Sequence, residues 1–237
     1  RDALATLFWP EKNQQTPRAN LRRTLFDLGQ LVAAQVLDTT QETVGLHPAT
    51  TIWLDAATFQ QGLADCLPPH SPVDSLSAAN VTRLVEIADL YTDDFLAGFT
   101  LPDCPAFDGW QFFQPEELRR SYATLLQQLT HTYETQGKLE EAARYARRWL
   151  QLDPLEEAVH RRLMALYAQA GQPAAALRQY EECVRLLAQE LEVEPEEETT
   201  ALYEAIRTRR FAPPDKRTGG QEDKRTGFSG SFVLCSL

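Results

Sequence analysis

The amino-acid sequence predicts a mainly α-helical protein, in which a small module of helices and strands precedes a larger domain made only of helices. Two observations predict this architecture. One helical hairpin is written twice within residues 129–194, and residues 35–54 have the composition of short strands. The strand-forming stretch therefore lies ahead of the helical repeat and not within it.

The repeat has an interval of 34 residues. The recurring residues are Leu129, Tyr133, Gly137 and Ala142, which return as Leu163, Tyr167, Gly171 and Ala176. Such an interval is typical of tetratricopeptide-type helix pairs, so this domain is predicted to be tetratricopeptide-like. The small residues let two helices approach, and each glycine is predicted to end the first helix of its pair. Because such arrays serve many partners, the repeat predicts architecture and not function.

The N-terminal residues predict two helices joined by a short turn. Residues 1–8 have helical periodicity, and Trp9-Pro10 ends this helix because the residue before proline avoids helical geometry. Thr16 then supplies an N-cap for a second helix over residues 17–32, with proline at its first position. The predicted apolar face of this second helix consists of Leu21, Leu25, Leu28 and Val32.

The outer face of the second helix is polar and carries three arginines. Asn20, Arg23, Asp27 and Gln30 lie opposite the apolar face, and Arg18 and Arg22 lie on its flank. Two helices with arginine on the outer face of the second fit a DNA-binding helix-turn-helix. Periodicity alone equally allows a solvated amphipathic helix with ordinary surface arginines. Residues 35–54 predict two or three short strands, which is what the hairpin of a winged helix would need.

The remaining elements are predicted to be helical apart from one segment. Asp55 is expected to cap a helix over residues 56–66, and further helices are predicted over residues 75–90, 115–136 and 196–210, the last of them after the repeat pairs. Pro154 and Pro173 are expected to start two of the repeat helices. The segment 91–110 is predicted to be irregular, and its aromatic residues either pack onto the helices or form a partner-binding surface.

The charge of the chain is −11 and is unevenly distributed. Residues 1–35 hold five basic and three acidic side chains, whereas residues 36–110 hold one basic and eleven acidic side chains. A nucleic-acid surface is therefore expected near the N-terminus, because the acidic middle would repel phosphates. The four cysteines have no CxxC spacing and indicate reduced thiols in a cytoplasmic protein. No apolar run approaches the roughly 20 residues that span a bilayer, so no membrane partner is predicted.

The sequence contains no pattern typical of a catalytic, metal or cofactor site. None of the four histidines has a partner at metal-ligand spacing, and no glycine-rich phosphate loop occurs. Paired acids such as Glu140-Glu141 are better explained as solvated residues at the start of a helix. We therefore expect that the protein is not an enzyme and has no cofactor.

The order of these features resembles the bacterial transcriptional activator domain family, which includes the antibiotic-regulatory-protein type of activators. Three stretches carry the resemblance: LFWPEKNQQTPRANLRRTLFDLGQLV, LYTDDFLAGFTLPDCPAFDGWQFFQPEELR, and the most specific one, LDPLEEAVHRRLMALYAQAGQPAAALRQYEECVRLLAQELEVEPEEETTALYEAI. The resemblance implies a winged helix that binds promoter DNA, followed by a tetratricopeptide-like domain. It also implies dimers that contact RNA polymerase or another regulatory protein. By motif position, it assigns DNA contacts to Arg18, Asn20, Arg22 and Arg23.

The resemblance divides the chain into three parts. Residues 1–54 are expected to be a partial winged helix that lacks the opening strands and first helix of its family. Residues 55–211 are expected to be the helical activator domain, and residues 212–237 a disordered tail in which DKRTG occurs twice. Asp27 and Gly29 depart from the arginine-rich helix of the family. An interaction module without DNA binding, forming a fragment of a larger regulator, is therefore the alternative function.

Overall fold

The structure is a computed structural model and describes residues 1–10, 15–32, 36–68, 76–102 and 104–211. Within this part the protein is mainly helical, as predicted. The helices are α1 (Asp2–Phe8), α2 (Gln15–Leu31), α3 (Asp55–Cys66), α4 (Ala78–Ala88), α5 (Pro105–Thr135), α6 (Leu139–Leu152), α7 (Glu157–Gln169), α8 (Pro173–Glu190) and α9 (Glu197–Arg207). The described strands are β1 (Leu37–Thr39) and β2 (Val44–Leu46).

The N-terminal module consists of α1 and α2, which pack on each other, and of a β-hairpin. The strands β1 and β2 are antiparallel, with Leu37 opposite Leu46 and Thr39 opposite Val44. The predicted hairpin is therefore present, and residues 47–54 contain no further strand. The helix α2 begins at Gln15, so Thr16 lies inside the helix and is not its N-cap.

The first part of the helical domain is built from α3, α4 and α5. Its fully buried core includes Phe59 of α3, Leu84 and Ile87 of α4, and Leu125 and Leu129 of α5. The helices α3 and α4 approach closely because Gly62 has no side chain. A Cβ atom at Gly62 would lie 2.8 Å from Cγ2 of Ile87.

The first helix of each repeat pair ends at its glycine, as predicted. Gly137 follows α5 with φ of 75°, and Gly171 follows α7 with φ of 72°. In each case the next backbone N–H donates to a carbonyl in the last turn: Lys138 to Tyr133 at 2.9 Å, and Gln172 to Tyr167 at 2.8 Å. This pattern is the Schellman motif, which requires a left-handed residue after the helix.

Small residues bring the repeat helices together. Ala142, Ala143 and Ala146 of α6 are buried against Leu163 and Leu166 of α7. The next layer follows the same principle and contains Met164, Ala176 and Ile206 of α7, α8 and α9. The rings of Tyr133 and Tyr145 stack with centroids 5.5 Å apart. They connect the core of α3, α4 and α5 to the layer between α6 and α7.

Several predicted boundaries were wrong, and the largest error concerns α5. This helix begins at Pro105 and continues through Pro115, so the second part of the segment predicted to be irregular is helical. The prediction treated Pro115 as a start signal, but packing of the first turns against the preceding segment overrides the propensity of proline. The helix α4 begins at Ala78, later than predicted, where the Ser77 hydroxyl accepts a hydrogen bond from the Asn80 N–H.

Smaller corrections concern helix starts and the C-terminus. Pro154 lies in the turn before α7, which begins at Glu157, whereas Pro173 starts α8 as predicted. Asp55 is the first residue of α3, and its carboxylate accepts a hydrogen bond from the N–H of Ala56. The predicted disordered tail, 212–237, lies outside the described residues.

Candidate nucleic-acid interface

The helix α2 is held by a small set of buried residues that leaves most of its surface in solvent. Pro17 and Leu21 are buried, as is Ala5 on α1. Leu25 and Val32 are half-buried, but Leu28, which was predicted to lie on the apolar face, is exposed. The packed face is therefore shorter than the periodicity predicts, and it is concentrated in the first half of α2.

Arg18 is engaged by a carboxylate of the neighbouring helix. Its Nε and one terminal nitrogen donate to the two Oδ atoms of Asp2 at 2.8 and 2.7 Å. These hydrogen bonds hold the pKa of Asp2 below its usual value and raise the pKa of Arg18. The guanidinium is thus fixed in direction, and part of its positive charge is neutralised.

Arg22 and Arg23 extend into solvent. The Arg23 side chain is 87% exposed, and its Nε lies 4.0 Å from a carboxylate oxygen of Asp27. Arg22 forms no hydrogen bond or ion pair with any residue that the structure describes. Asn20 is half-buried on the same helix. An exposed guanidinium without a partner can form an ion pair with a phosphate, or donate two hydrogen bonds to the edge of a base.

The hairpin that follows α2 in the chain has no basic side chain to contact a phosphate backbone. Asp38 and Glu42 are its charged side chains, and both are exposed. In a winged helix this hairpin would lie beside the bound duplex, so its acidic residues would work against phosphate binding. Positive charge in the described N-terminal module is therefore concentrated on α2.

The helical domain contains polar networks that sequence reasoning missed. Arg162 of α7 donates to Glu134 of α5 at 3.0 Å, and both side chains are mostly buried. Arg161 of α7 contacts Glu196 and donates to the Thr199 hydroxyl at 3.0 Å. These pairs connect helices far apart in sequence, so their function is to hold the layers in register. No short spacing in the sequence signals them.

A polar cavity of about 550 Å³ opens between the turn that follows α4 and helices α5 and α6. Arg148 closes one side, donating to Asp89 at 2.9 Å and to the carbonyl of Ala88 at 2.7 Å. Arg119 donates to Asp94 through two nitrogens, which lowers the pKa of Asp94. Both arginines are therefore committed to carboxylates within the fold.

Two other kinds of feature, a metal site and a membrane span, are absent from the described residues. Across the described ranges, no group of three or more histidine, cysteine, aspartate or glutamate side chains could hold a metal ion. No helix in the part of the chain with described coordinates is long and apolar enough to cross a membrane.

All four predicted contact residues lie on α2: Arg22 and Arg23 are exposed, Asn20 is half-buried, and Arg18 is paired with Asp2. Sequence reasoning missed Asp2, because an ion pair across a turn depends on how the two helices pack and not on periodicity. Its only sequence signal is an acid in the first turn of α1, a position that acids favour on any helix.

Stacked helix pairs with a 34-residue period and glycine-terminated first helices define a tetratricopeptide-like helical domain. Comparison with known families identifies it further. Residues 54–207 match the bacterial transcriptional activator domain, and the chain belongs to this family. Residues 54–207 are therefore the helical domain of that family.

One solved structure is similar in fold over most of the chain. It is titled Mycobacterium tuberculosis EmbR in complex with low affinity phosphopeptide, and the superposition has a TM-score of 0.53 at 17% sequence identity. The match covers 88% of this chain and 54% of that protein, so this chain spans about half the length of EmbR. At this identity the likeness shows the fold alone. No curated protein matches the sequence.

Proposed function

We propose that the chain is the DNA-binding and protein-contacting part of a transcription activator. In this proposal residues 1–54 form a partial winged helix, and residues 55–211 form the activator domain. The observation that carries the proposal is that α2 presents Arg22 and Arg23 to solvent, in a chain that belongs to a family of transcriptional activators. An activator works where promoter DNA is, so its location is the cytoplasm.

The contacts divide between positioning and readout. Arg22 and Arg23 contact phosphates or bases, and Asn20 lies beside them on α2. Arg18 adds a further contact, with its guanidinium held in orientation by Asp2. Phosphate contacts dominate affinity because each releases counterions from the duplex. The activator domain contacts RNA polymerase or another regulatory protein, and two copies bind adjacent half-sites as a homodimer.

A mobility-shift assay on promoter DNA over a range of salt concentrations tests this proposal. Replacing Arg22 and Arg23 together by alanine is expected to weaken binding to all sequences and to lower the salt slope by about 1 per residue. The matched control is Arg185→Ala with Arg207→Ala, which removes the same charge from exposed ion pairs on α8 and α9. If both double variants bind equally well, α2 is not the interface.

A second function is favoured by a specific observation. Arg18 is paired with Asp2, Arg23 lies near Asp27, and the hairpin that follows α2 in the chain is acidic. These carboxylates would weaken phosphate binding and favour a protein-interaction module, part of a larger regulator, without DNA binding of its own. In that case the chain would show no salt-dependent shift with any DNA, and neither arginine variant would change its protein contacts.

A further inference from the structure

The segment between α4 and α5 forms an aromatic surface together with the first turns of α5. Trp110 packs edge-on against Phe95 with ring centroids 5.6 Å apart, and its ring lies 5.5 Å from Phe107. Phe99 contacts Phe107 at 5.8 Å. The four rings are therefore one connected cluster. The Gln111 side chain fixes it by donating to the carbonyls of Leu96 and Phe99 at 3.2 and 3.1 Å.

This cluster is partly exposed and borders a cavity. Trp110 is 46% exposed and Phe99 is 47% exposed. A cavity of about 310 Å³ lies next to Phe95 and Leu96, and its inner wall includes Phe59 and Leu118. This volume is at the small end of the range of ligand sites, which is about 300–1,000 Å³. It suits a side chain or two of a partner rather than a whole helix.

The backbone at the cavity is strained. Leu96 has φ of 54°, a left-handed conformation that is unusual for a large side chain, and it is 39% exposed. Glycine or asparagine would adopt this conformation at lower cost. Strain of this kind is concentrated at binding sites, where the surrounding structure holds a side chain in place for a ligand. The strained turn keeps an apolar side chain at the mouth of the cavity.

The rim of the cavity is acidic. Asp55 and Asp93 are exposed lining residues, and neither forms an ion pair with a described residue. The third lining carboxylate, Asp94, is already bound to Arg119. The sequence around the cavity also carries negative charge, since Arg83 is the single basic residue in residues 36–110. Asp55 and Asp93 each accept one backbone N–H, from Ala56 and Asp94, but a partner with basic side chains would supply the cation that both lack.

We propose that this surface, the aromatic groove formed by the cavity residues Asp55, Asp93, Phe95 and Leu96 and by the adjoining ring of Trp110, binds a protein segment that carries an apolar side chain beside an arginine or lysine. The apolar side chain enters the cavity, and the cation pairs with Asp55 and Asp93. The inference rests on the proposal that the helical domain contacts a protein partner. A second copy in a symmetric dimer would bring two acidic faces together, which like-charge repulsion disfavours. Nucleic acid is disfavoured for the same reason.

Fluorescence anisotropy with the full chain tests the proposal. The probe is a labelled synthetic peptide with a Leu-Phe pair between two arginines. Two matched peptides replace the arginines by glutamates or the Leu-Phe pair by serines. The first peptide is expected to bind about tenfold or more tightly than either matched peptide, and its affinity is expected to fall with salt. Equal binding of the three peptides would overturn the proposal.

Variants locate the binding surface. Leu96→Asn keeps a residue that tolerates positive φ but removes the apolar side chain, and Trp110→Ser removes a ring of the groove. Each is expected to weaken binding by about tenfold or more, and Asp93→Asn by about two- to threefold. Phe112→Ser is the control: Phe112 is 76% exposed and lies two residues along α5, on the opposite side of the helix. Unchanged binding by Leu96→Asn and Trp110→Ser, with thermal unfolding confirming that they fold, would refute the groove.

Two further measurements separate this inference from the proposed function. Trp110→Ser should shift promoter DNA like the wild type, because the Trp110 ring packs on Phe95 and Phe107 of the helical domain. Peptide binding without any DNA shift would contradict the DNA-binding proposal and support the proposal that the groove binds a protein segment. Sedimentation identifies self-association: a wild-type dimer that Trp110→Ser converts to monomer would show that the groove binds a second copy, which contradicts the proposal.

Discussion

Replacing the two glycines that end the first helix of each repeat pair should destabilise the protein. Gly137 and Gly171 have φ of 75° and 72°, in the left-handed region that side chains with a Cβ atom disfavour. No heavy atom lies within 4 Å of an added Cβ at either position. The effect of alanine is therefore conformational and not steric, so its size can be worked out from the backbone alone.

The left-handed conformation costs an alanine about 1–2 kcal/mol. Alanine also lowers the conformational entropy of the unfolded chain, which raises the free energy of unfolding by about 0.4–1 kcal/mol. Each of Gly137→Ala and Gly171→Ala should therefore lower the free energy of unfolding by about 1 kcal/mol, and the double variant by about 2 kcal/mol. The control, Gly109→Ala, lies inside α5 with open space around its Cβ position. It should raise the free energy of unfolding by about 0.5–1 kcal/mol, since glycine weakens a helix interior.

Urea unfolding followed by far-ultraviolet circular dichroism measures all four variants. The reasoning requires opposite signs for the same chemical change: loss at the two repeat glycines and gain at Gly109. If Gly137→Ala and Gly171→Ala are as stable as the wild type while Gly109→Ala is stabilised, the helices do not end in left-handed residues. A loss at one repeat glycine only would refute the equivalence of the two pairs.

Two further predictions concern the core and an acid–base group. Leu163→Ala, at a fully buried position between α6 and α7, should cost about 2–5 kcal/mol in urea unfolding, and a loss below about 1 kcal/mol would mean that the helices are not packed there. Burial and the neighbouring Asp94 raise the pKa of Tyr91 to about 12, above the value of about 10 for an unfolded chain. The resulting stability is complete below pH about 10 and is lost as the pH rises to about 12, so Tyr91→Phe should lose less stability than the wild type across this interval. Equal losses in urea unfolding at a series of alkaline pH values would contradict the assignment.

The repeat could be predicted from sequence because its signals are local. Glycine at a helix end and alanine at a helix contact act through the backbone within a few residues, so the 34-residue interval is sufficient to place Gly137 and Gly171. The start of α5 could not be predicted in this way. Pro115 is a local signal for a helix start, but the side chains of Trp110 and Gln111 hold the preceding turns through contacts with residues 95–99. Long-range packing of this kind has no periodic signature.

The candidate interface shows the same limit. Helical periodicity places Arg23 opposite the apolar face and Arg22 on its flank, and both side chains are exposed in the structure. Periodicity does not reveal that Arg18 is held by Asp2, sixteen residues earlier in the chain. It also overestimated the apolar face, since Leu28 is exposed. Which side chains face a neighbour depends on the angle between α1 and α2, and a single sequence contains no measure of that angle.

The distribution of paired and unpaired charge connects the two proposed surfaces. In the helical domain, Arg119, Arg148 and Arg162 bind carboxylates across helices or turns, so their charge contributes to packing and not to recognition. The unpaired Arg22 lies on α2, whereas unpaired carboxylates line the aromatic groove. One chain therefore offers a positive surface for a polyanion and a negative, apolar surface for a basic protein. Because the two are oppositely charged, each disfavours the ligand of the other, and added salt should weaken both interactions while leaving the apolar part of groove binding intact.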